Sequence, residues 1–388
     1  MGAVPLLTTP SRWPLIGFYA TYFAVVGVWI PYWPLHLTSL GVTPQTIGLL
    51  TALTQWMRIP APPGWGYVAD RGSRYNVVVL TCTGSLVSFG LFFLDTRLDW
   101  ILGVTILYSL FHAGPLALTD ATAMELSVKH HWDYGQLRLW GSWGFILCSL
   151  GLGPISDQLG LQTIPMVILL LLLANLLCAL RLPRTPNHAG QHTSIRTLFA
   201  RADVKWFYFS ATLMQFSHGG YYGFMSLHLQ QHGFSRTLIG LLWAVGVVAE
   251  VVLMSRSRTL LDRVGVTRLL TFSLLLAAVR WSVYATTTEW IWLGAAQLLH
   301  AFTFGAFHVA SIRRVHDLAP IQARGTAQGW LGALSYGLGG GVSMALSGLV
   351  LERFGHETMF AMLALAALFG TLASWRAATL FARTGIAP

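Results

Sequence analysis

The stretch PLHLTSLGVTPQTIGLL, residues 34–50, decides the fold, because a close copy of it, SLHLQQHGFSRTLIGLL, occupies residues 226–242. The two stretches lie 192 residues apart and share eight of seventeen positions, including a Leu-His-Leu triplet, a central glycine and Ile-Gly-Leu-Leu. The offset persists downstream, since Asp70-Arg71 and Asp262-Arg263 follow at the same distance. Repeats of roughly 20 to 50 residues indicate solenoids, whereas a period near half the chain indicates that two similar halves form one molecule.

The composition is that of a membrane protein. The chain is 54% hydrophobic and 10% charged, with a mean hydropathy of +0.59, whereas soluble domains are roughly 25% charged. Because a backbone in lipid must satisfy its own hydrogen bonds, apolar runs of roughly 17 to 25 residues predict transmembrane helices. Twelve such runs fall into two sets of six, near residues 14–36, 46–69, 76–94, 100–122, 136–155, 162–180, 205–229, 238–256, 267–286, 290–312, 326–350 and 359–381.

The positions of Lys and Arg predict the orientation in the membrane. With the N-terminus inside, 19 of the 24 basic residues lie on the cytosolic side, only Arg97, Arg236 and Arg353 lie outside, and Arg58 and Arg280 lie within spans. This positive-inside bias predicts that both termini lie in the cytosol. We expect a multi-pass protein of the bacterial inner membrane. The formal charge of +10 gathers on no single face or tail, so a nucleic-acid partner is not expected.

A polar segment, PRTPNHAGQHTSIRTLFARAD, separates the two sets of spans. We therefore expect an N-terminal six-helix bundle at residues 1–182, a cytosolic linker at 183–203 and a C-terminal six-helix bundle at 204–388. Met1 to Arg12 lacks the charged start and cleavage site of a secretory signal, so we expect the first span to be retained.

The sequence contains no signature of an enzyme or a metal site. Cys82, Cys148 and Cys178 lie in apolar segments without pairing or metal-ligand spacing, so we expect neither a disulfide nor a bound metal. A Walker loop and a nucleophile elbow are both absent from the sequence. We expect no cofactor and no catalysis, and a small molecule, protons and membrane lipid as partners.

Twelve helices in two parallel repeats joined by a cytosolic linker resemble the major facilitator superfamily, whose members bind substrate near mid-membrane between the halves. The turn GYVADRGSR, residues 66–74, resembles the superfamily's loop motif between helices 2 and 3, one residue shorter. We therefore predict an all-α integral membrane protein, a monomer, with 12 transmembrane helices in two pseudo-symmetric six-helix bundles. The resemblance implies a cytosolic gate, the alternative being a solvated charged turn, at Asp70, Arg71, Arg74, Asp262 and Arg263.

Ionisable residues inside spans are costly and by default mark substrate or proton sites. At about 100° per residue, His300 and His308 differ by 80° and share a broad face of one helix. The alternative for each histidine is a hydrogen bond to a neighbouring helix, and for the carboxylates and arginines a structural ion pair. The candidates are Arg58, His112, Asp120, Arg138, His218, Glu250, Arg280, His300 and His308.

The segment from Asp120 to Arg138 resembles helices 4 and 5 of the lactose permease group of proton symporters. In that group a carboxylate precedes by 18 residues an arginine in a Phe-Gly-x-x-Arg context, and this chain has Tyr-Gly-Gln-Leu before Arg138. Glu250, Arg280 and His300 match the group's carboxylate, arginine and histidine in helices 8, 9 and 10. The segments RLWGSWGF, GLLWAVGVVAE and LLHAFTFGAFH look closer still to the phenylpropionate permease branch.

Two positions depart from the lactose group. Thr303 stands where the group has a second carboxylate, one turn after the helix 10 histidine, and Phe145 stands where it has a stacking tryptophan. The first departure leaves the identity of the proton carrier open. The second keeps a ring for stacking but removes an indole donor, which suits a flatter and less polar substrate.

The resemblance implies a division of roles between the halves. Asp120 and Arg138 are predicted to hold the polar end of the substrate, because a guanidinium fork can grip a carboxylate or hydroxyls. Rings of Phe145, Tyr221 and Tyr222 are predicted to supply stacking surface, with packing in lipid as the alternative.

Proton coupling is assigned to the second half. Burial of Glu250 allows it to carry a proton, and the approach of Arg280 would release that proton, with His300 as relay. Arg58 lies beside Pro60 and is interpreted either as a second carboxylate anchor or as a donor to carbonyls that the prolines leave free.

The sequence therefore predicts a proton-coupled importer of a small organic solute that works by alternating access. An aromatic carboxylate such as 3-phenylpropionate is the expected substrate, and a sugar or a nucleoside is the alternative. A drug or metabolite exporter and a non-transporting sensor are alternatives from other classes, since the same intramembrane charges serve symport and antiport.

Overall fold

A computed structural model describes residues 11–185 and 198–383, and within those ranges the chain is helical and contains no β-strand. The helices form twelve membrane spans, numbered in chain order. The spans of the first half are Trp13–Ser39 (span 1), Pro44–Trp56 with Ala61–Arg71 (span 2), Arg74–Gly90 (span 3), Leu98–His112 with Pro115–His130 (span 4), Tyr134–Leu159 (span 5) and Thr163–Ala179 (span 6).

The second half repeats this order. Its spans are Ala202–Gln231 (span 7), Arg236–Met254 (span 8), Val266–Thr286 (span 9), Trp290–Leu298 with Phe307–Leu318 (span 10), and Arg324–Gly332 with Gly341–Arg383 (spans 11 and 12). Gly355, with φ 84° and ψ 175°, separates spans 11 and 12. Short helices Leu91–Phe93, Leu198–Ala200, Ser257–Val264 and Ile321–Ala323 lie between spans. The predicted linker, 183–203, falls mostly outside the described residues.

Eight helical stretches among the described residues are individually long and apolar enough to cross a membrane. One of them, Ile321–Arg383, contains two spans. Span 6 is apolar but has only 17 residues, span 2 is broken beside Pro60, and span 7 carries many polar residues. The predicted all-α fold with two six-helix bundles is confirmed, and these features explain why hydropathy alone finds fewer spans.

The duplicated stretch forms the same turn in both halves. Gly41 and Gly233 adopt left-handed backbone conformations, with φ of 79° and 80°, where spans 1 and 7 end, and glycine alone adopts that region without a steric cost. Thr43 and Ser235 then cap spans 2 and 8 by accepting a hydrogen bond from a backbone N–H three residues on. Each copy of the repeat therefore encodes a helix stop at a shared glycine and then a helix start at a hydroxyl residue, Thr43 or Ser235.

Glycine contacts close one end of the molecule, the far end, which is opposite the side where the two halves are linked. Gly48 of span 2 faces span 11, where a Cβ on Gly48 would come within 3.0 Å of the Cα of Gly348. Gly240, the repeat partner of Gly48, faces span 5, where a Cβ would overlap the carbonyl oxygen of Ser149. Spans 2 and 11, and spans 5 and 8, thus approach to backbone contact.

Two carboxylates join the halves at the same end. Asp157 of span 5 accepts hydrogen bonds from the backbone N–H groups of Arg236 and Thr237, both at 3.0 Å, and from the Thr237 hydroxyl at 2.7 Å. Glu352 of span 11 accepts from the backbone N–H of Gln45 at 2.8 Å. Each carboxylate therefore caps the positive N-terminal end of a helix in the other half, and the far end is closed.

A candidate central binding site

Asp120 and Arg138 lie together in the first half. The Arg138 Nε and an Asp120 oxygen are 3.7 Å apart, and roughly a quarter to a third of each side chain is exposed. The same Asp120 oxygen accepts hydrogen bonds from the hydroxyls of Tyr19, at 2.7 Å, and Tyr134, at 3.0 Å. The Arg138 guanidinium carbon lies 4.2 Å from the ring centroid of Phe23, which is a cation–π contact. Asp120 is thus fixed by three groups, while Arg138 remains accessible.

A row of stacked rings continues from this pair. His112 is sandwiched between Tyr22 and Tyr108, with ring centroids 4.7 and 5.0 Å away and planes within 16° of parallel. Trp29 stacks on Tyr108 at 5.1 Å and on Trp33 at 4.9 Å. The Tyr22 hydroxyl donates to the carbonyl of His112 at 3.1 Å, where span 4 is interrupted before Pro115. The first half therefore holds a row of stacked rings beside an arginine, with Trp29 and His112 partly exposed and the other rings buried.

Arg280 organises a buried polar network in the second half. Its side chain is fully buried and donates to Gln297 Oε1 at 2.6 Å, His300 Nδ1 at 3.0 Å and Thr303 Oγ1 at 3.1 Å. The ring of Tyr221 lies 4.4 Å from its guanidinium carbon. Among the described residues no carboxylate forms an ion pair with this arginine. Neutral acceptors and aromatic faces surround its charge. These contacts make the burial of an unpaired cation less costly than burial without hydrogen-bond partners.

Arg280 also determines where the hydrogens of this network lie. An arginine can only donate, so His300 Nδ1 must be the acceptor and its hydrogen must sit on Nε2. That Nε2 lies 3.5 Å from an oxygen of Glu250. By the same logic the Thr303 hydroxyl accepts from Arg280 and donates to His218 Nε2 at 3.2 Å. The protonated nitrogen of His300 therefore faces Glu250, and Arg280 reaches Glu250 only through that ring.

A π-helix places three rings of span 10 in line. Residues Ala301–Ala306 form this π-helix, which adds one residue to a turn, so His300 and His308 differ by about 20° and not by 80°. Phe304 stacks between them, at 5.3 Å from His300 and 6.0 Å from His308, with planes within 11° of parallel. Arg138 with Asp120, and Glu250 with His300, thus belong to different halves of the candidate site.

The remaining predicted substrate residues lie at different depths. Phe145 is buried, and its backbone packs on Gly27 of span 1. Tyr221 is buried and donates to Gln297 at 3.1 Å, while Tyr222 is partly exposed and stacks on Trp243. The Pro-rich break in span 2 leaves Arg58 exposed between its two helices. Their roles stay predictions.

The predicted gate residues lie on the linked side. Arg71 ends the helix Ala61–Arg71 and lies over the ring of Tyr67, 3.4 Å from its centroid. Arg74 forms an ion pair with Glu125 of span 4 at 3.1 Å. Asp70 is exposed in the same helix, and Asp262 and Arg263 lie in the short helix Ser257–Val264. The repeated Asp-Arg pair therefore lies in a helix in each half. The gating role of these residues stays a prediction.

Sequence reasoning missed several residues of the site. Tyr19 and Tyr134 hold Asp120, and Gln297 binds both Arg280 and Tyr221. These three residues were missed because none of them carries a charge that would mark it within a span. His218 was considered, with an interhelical hydrogen bond as an alternative, and its bond to Thr303 is of that kind. A signal existed for Gln297, since it precedes His300 by three residues and so shares its helix face.

Two helical bundles that are joined by contacts at one end and carry ionisable side chains inside their spans have the architecture of secondary transporters. A model of the MFS_1 like family matches residues 12–362, and the chain belongs to that family. It is a multi-pass membrane protein of the major facilitator superfamily.

Relatives of known description cover nearly the whole chain. A probable 3-phenylpropionic acid transporter of Escherichia coli (strain K12) is 28% identical over 377 residues, which is 92% of this chain and 96% of the relative. A maltose permease of Geobacillus stearothermophilus is 26% identical over 364 residues, covering 92% and 91%. The crystal structure of the nucleoside transporter NupG (D323A mutant) superposes with a TM-score of 0.86 at 17% identity, covering 94% of this chain and 99% of that one. The structural likeness supports the fold.

Proposed function

We propose that this transporter couples protons to the import of a small organic anion, with an aromatic carboxylate such as 3-phenylpropionate as the substrate. The observation that carries the proposal is the accessible guanidinium of Arg138 beside a wall of stacked rings. A planar fork suits a carboxylate, and offset rings suit an aromatic body. The relative described as a probable 3-phenylpropionic acid transporter supports the same substrate class.

Arg138 is the proposed anchor of the substrate carboxylate, with Asp120 as its positioning partner. Asp120 also accepts hydrogen bonds from two tyrosine hydroxyls. It is therefore proposed to position Arg138 while leaving N–H donors of the guanidinium available to the substrate. Arg58 is the proposed second anchor, since it is exposed where span 2 breaks. Phe145, Tyr221 and Tyr222 complete the proposed aromatic lining.

Glu250 is the proposed proton carrier. Its carboxylate lies 3.5 Å from the Nε2 of His300, and the N–H at that position favours the anionic form. Arg280 is proposed to act through His300, by holding the imidazole in the tautomer that donates to Glu250. The proton then leaves Glu250 toward the central site and not through Arg280.

Because the far end is closed, the central site is proposed to open toward the linked side. With the linked side in the cytosol, as the distribution of basic residues predicts, the state described is the one that exchanges substrate with the cytosol. Asp70, Arg71, Arg74, Asp262 and Arg263 are the proposed gate of that side. A monomer in the bacterial inner membrane, with bundles at 1–182 and 204–388, is the proposed functional unit.

Counterflow of labelled 3-phenylpropionate in proteoliposomes tests the substrate, because exchange needs no proton gradient. We expect saturable exchange by the unmodified protein and its loss in Arg138→Ala. Arg138→Lys keeps the charge but removes the fork, so we expect the apparent affinity to fall about tenfold to a hundredfold. Passive leak of the free acid would survive both substitutions. Absence of exchange by folded protein would reject this substrate and direct the assay to sugars and nucleosides.

A further inference from the structure

A deep apolar groove runs along the outside of the molecule where the two halves meet. It encloses about 690 Å³. Leu150 of span 5 is the lining residue from the first half, and the rest of the lining comes from the second half, from spans 8 and 10 and from residues 256 and 260 after span 8. The lining residues are apolar with a single exception, among them Leu150, Leu241, Val248, Leu298 and Phe302. From Leu241 to Leu253 the groove follows span 8 for about 18 Å, which is close to the depth of one leaflet of a bilayer about 30 Å thick.

The exception lies at one end of the groove. Arg256 lines it just beyond the end of span 8, on the linked side, and its side chain is exposed. Among the described residues Arg256 forms no ion pair. The groove therefore presents a long hydrocarbon surface that ends in one positive charge at the level of the membrane interface. A molecule that matches it has an acyl chain and an anionic head.

We propose that the groove binds an anionic phospholipid of the linked-side leaflet, with an acyl chain along span 8 and the phosphate on Arg256. The bilayer already supplies hydrocarbon to this face, and the charge selects among lipids. A zwitterionic phosphatidylcholine carries a choline cation beside its phosphate, so it gains less from the arginine. A soluble solute is a poorer match than a lipid, because it would cover only part of this long apolar surface.

The lipid would act on the transport cycle through two contacts. Leu150 belongs to the first half and Val248 to the second, so the groove changes shape whenever the halves rock. A lipid that fits one state better shifts the population toward that state. Ala301 and Phe302 also line the groove, and they belong to the π-helix that aligns His300 with Phe304. The bound chain therefore packs on the back of the proposed proton site.

Native mass spectrometry of the full chain in detergent tests the site independently of any substrate. Dioleoylphosphatidylglycerol is titrated against dioleoylphosphatidylcholine. We expect tighter binding of the glycerol lipid by the unmodified protein and a loss of about fivefold in Arg256→Gln, since one interfacial cation contributes about that factor. Arg258→Gln is the matched control, because Arg258 is exposed two residues further along the chain, in the helix Ser257–Val264, and does not line the groove. An equal loss in Arg258→Gln, or equal binding of both lipids, would overturn the proposal.

A second variant locates the acyl chain. Val248→Trp fills the groove, and Leu372→Trp adds the same ring to an exposed position of span 12 away from it. We expect lipid binding to fall only in Val248→Trp, with both variants unfolding at similar temperatures. Retained binding in Val248→Trp would place the lipid elsewhere and overturn the groove as the site.

Discussion

Replacing Asp157 by alanine should open the far end of the molecule. The carboxylate accepts two backbone N–H groups at the start of span 8 and the Thr237 hydroxyl, all within 3.0 Å. It also lies 3.9 Å from the Arg236 guanidinium. These contacts cross from one half to the other, so they exist only while the far end is closed. Their loss penalises the closed state and leaves the open state unaffected.

The magnitude follows from the number and exposure of these bonds. A hydrogen bond to a charged group contributes about 1.5 to 3 kcal/mol, but the Asp157 side chain is 30% exposed and solvent screens its charge. Water can also replace the carboxylate at the freed N–H groups. We therefore take about 2 kcal/mol for the whole set, which shifts the closed-to-open ratio by about thirtyfold.

Electron paramagnetic resonance distances between Thr96 and Thr288 measure this shift. The two residues lie in exposed far-end loops of opposite halves, 192 positions apart, and are related by the repeat. The three native cysteines are first replaced, and spin labels are then attached to cysteines introduced at positions 96 and 288. We expect a long-distance population to grow in Asp157→Ala by about the factor given above.

Two further variants test whether the contacts of Asp157 hold the far end closed. Glu357→Ala removes an exposed carboxylate at the same end and should leave the distances unchanged. Asp157→Ala combined with Glu352→Ala removes both cross-half caps, which bind different helices and share no partner, so we expect their effects to add. A distance distribution of Asp157→Ala that matches Glu357→Ala would refute the reasoning.

Three other substitutions test the close contacts and the buried network. Gly240→Leu should block closure of the far end and abolish exchange, whereas Gly103→Leu, where a side chain meets open space, should leave exchange intact. Thr303→Val removes an acceptor of the buried guanidinium and should destabilise the protein by about 1 to 3 kcal/mol, while Thr303→Ser should restore the thermal unfolding temperature. Glu250→Gln should retain counterflow but lose gradient-driven accumulation, and the exposed-site control Glu289→Gln should retain both.

The repeat made the fold predictable, because its letters specify local structure that recurs. Gly41 and Gly233 stop a helix, and Thr43 and Ser235 start the next one. Span number and the two-bundle arrangement follow from that symmetry and from hydropathy. The cross-half caps were missed because Asp157 and Glu352 are 195 residues apart, outside the register of the repeat, and each reads alone as an interfacial charge.

The candidate site was predictable only where it carries charge. Asp120 and Arg138 lie 3.7 Å apart, as the ion-pair alternative predicted, and their role in holding the substrate stays a prediction. The alignment of His300 with His308 depends on a π-helix, and no periodicity rule anticipates an added residue in a turn. Partner choice was also beyond the sequence, since Arg280 contacts His300 while Glu250 contacts the other side of that ring.

In the proposed mechanism, the charge balance of the second half links the proton to the substrate. Thr303 leaves Arg280 without a carboxylate in contact, and the anion reached through the His300 ring is Glu250. Protonation of Glu250 removes that balance, and an arriving substrate carboxylate restores it. If the proposed substrate class is right, anion and proton binding therefore support each other, and this coupling is reciprocal. We expect substrate affinity to strengthen as the pH falls and Glu250→Gln to make it independent of pH, measured by equilibrium binding; an unchanged pH dependence in that variant would assign the proton to another group.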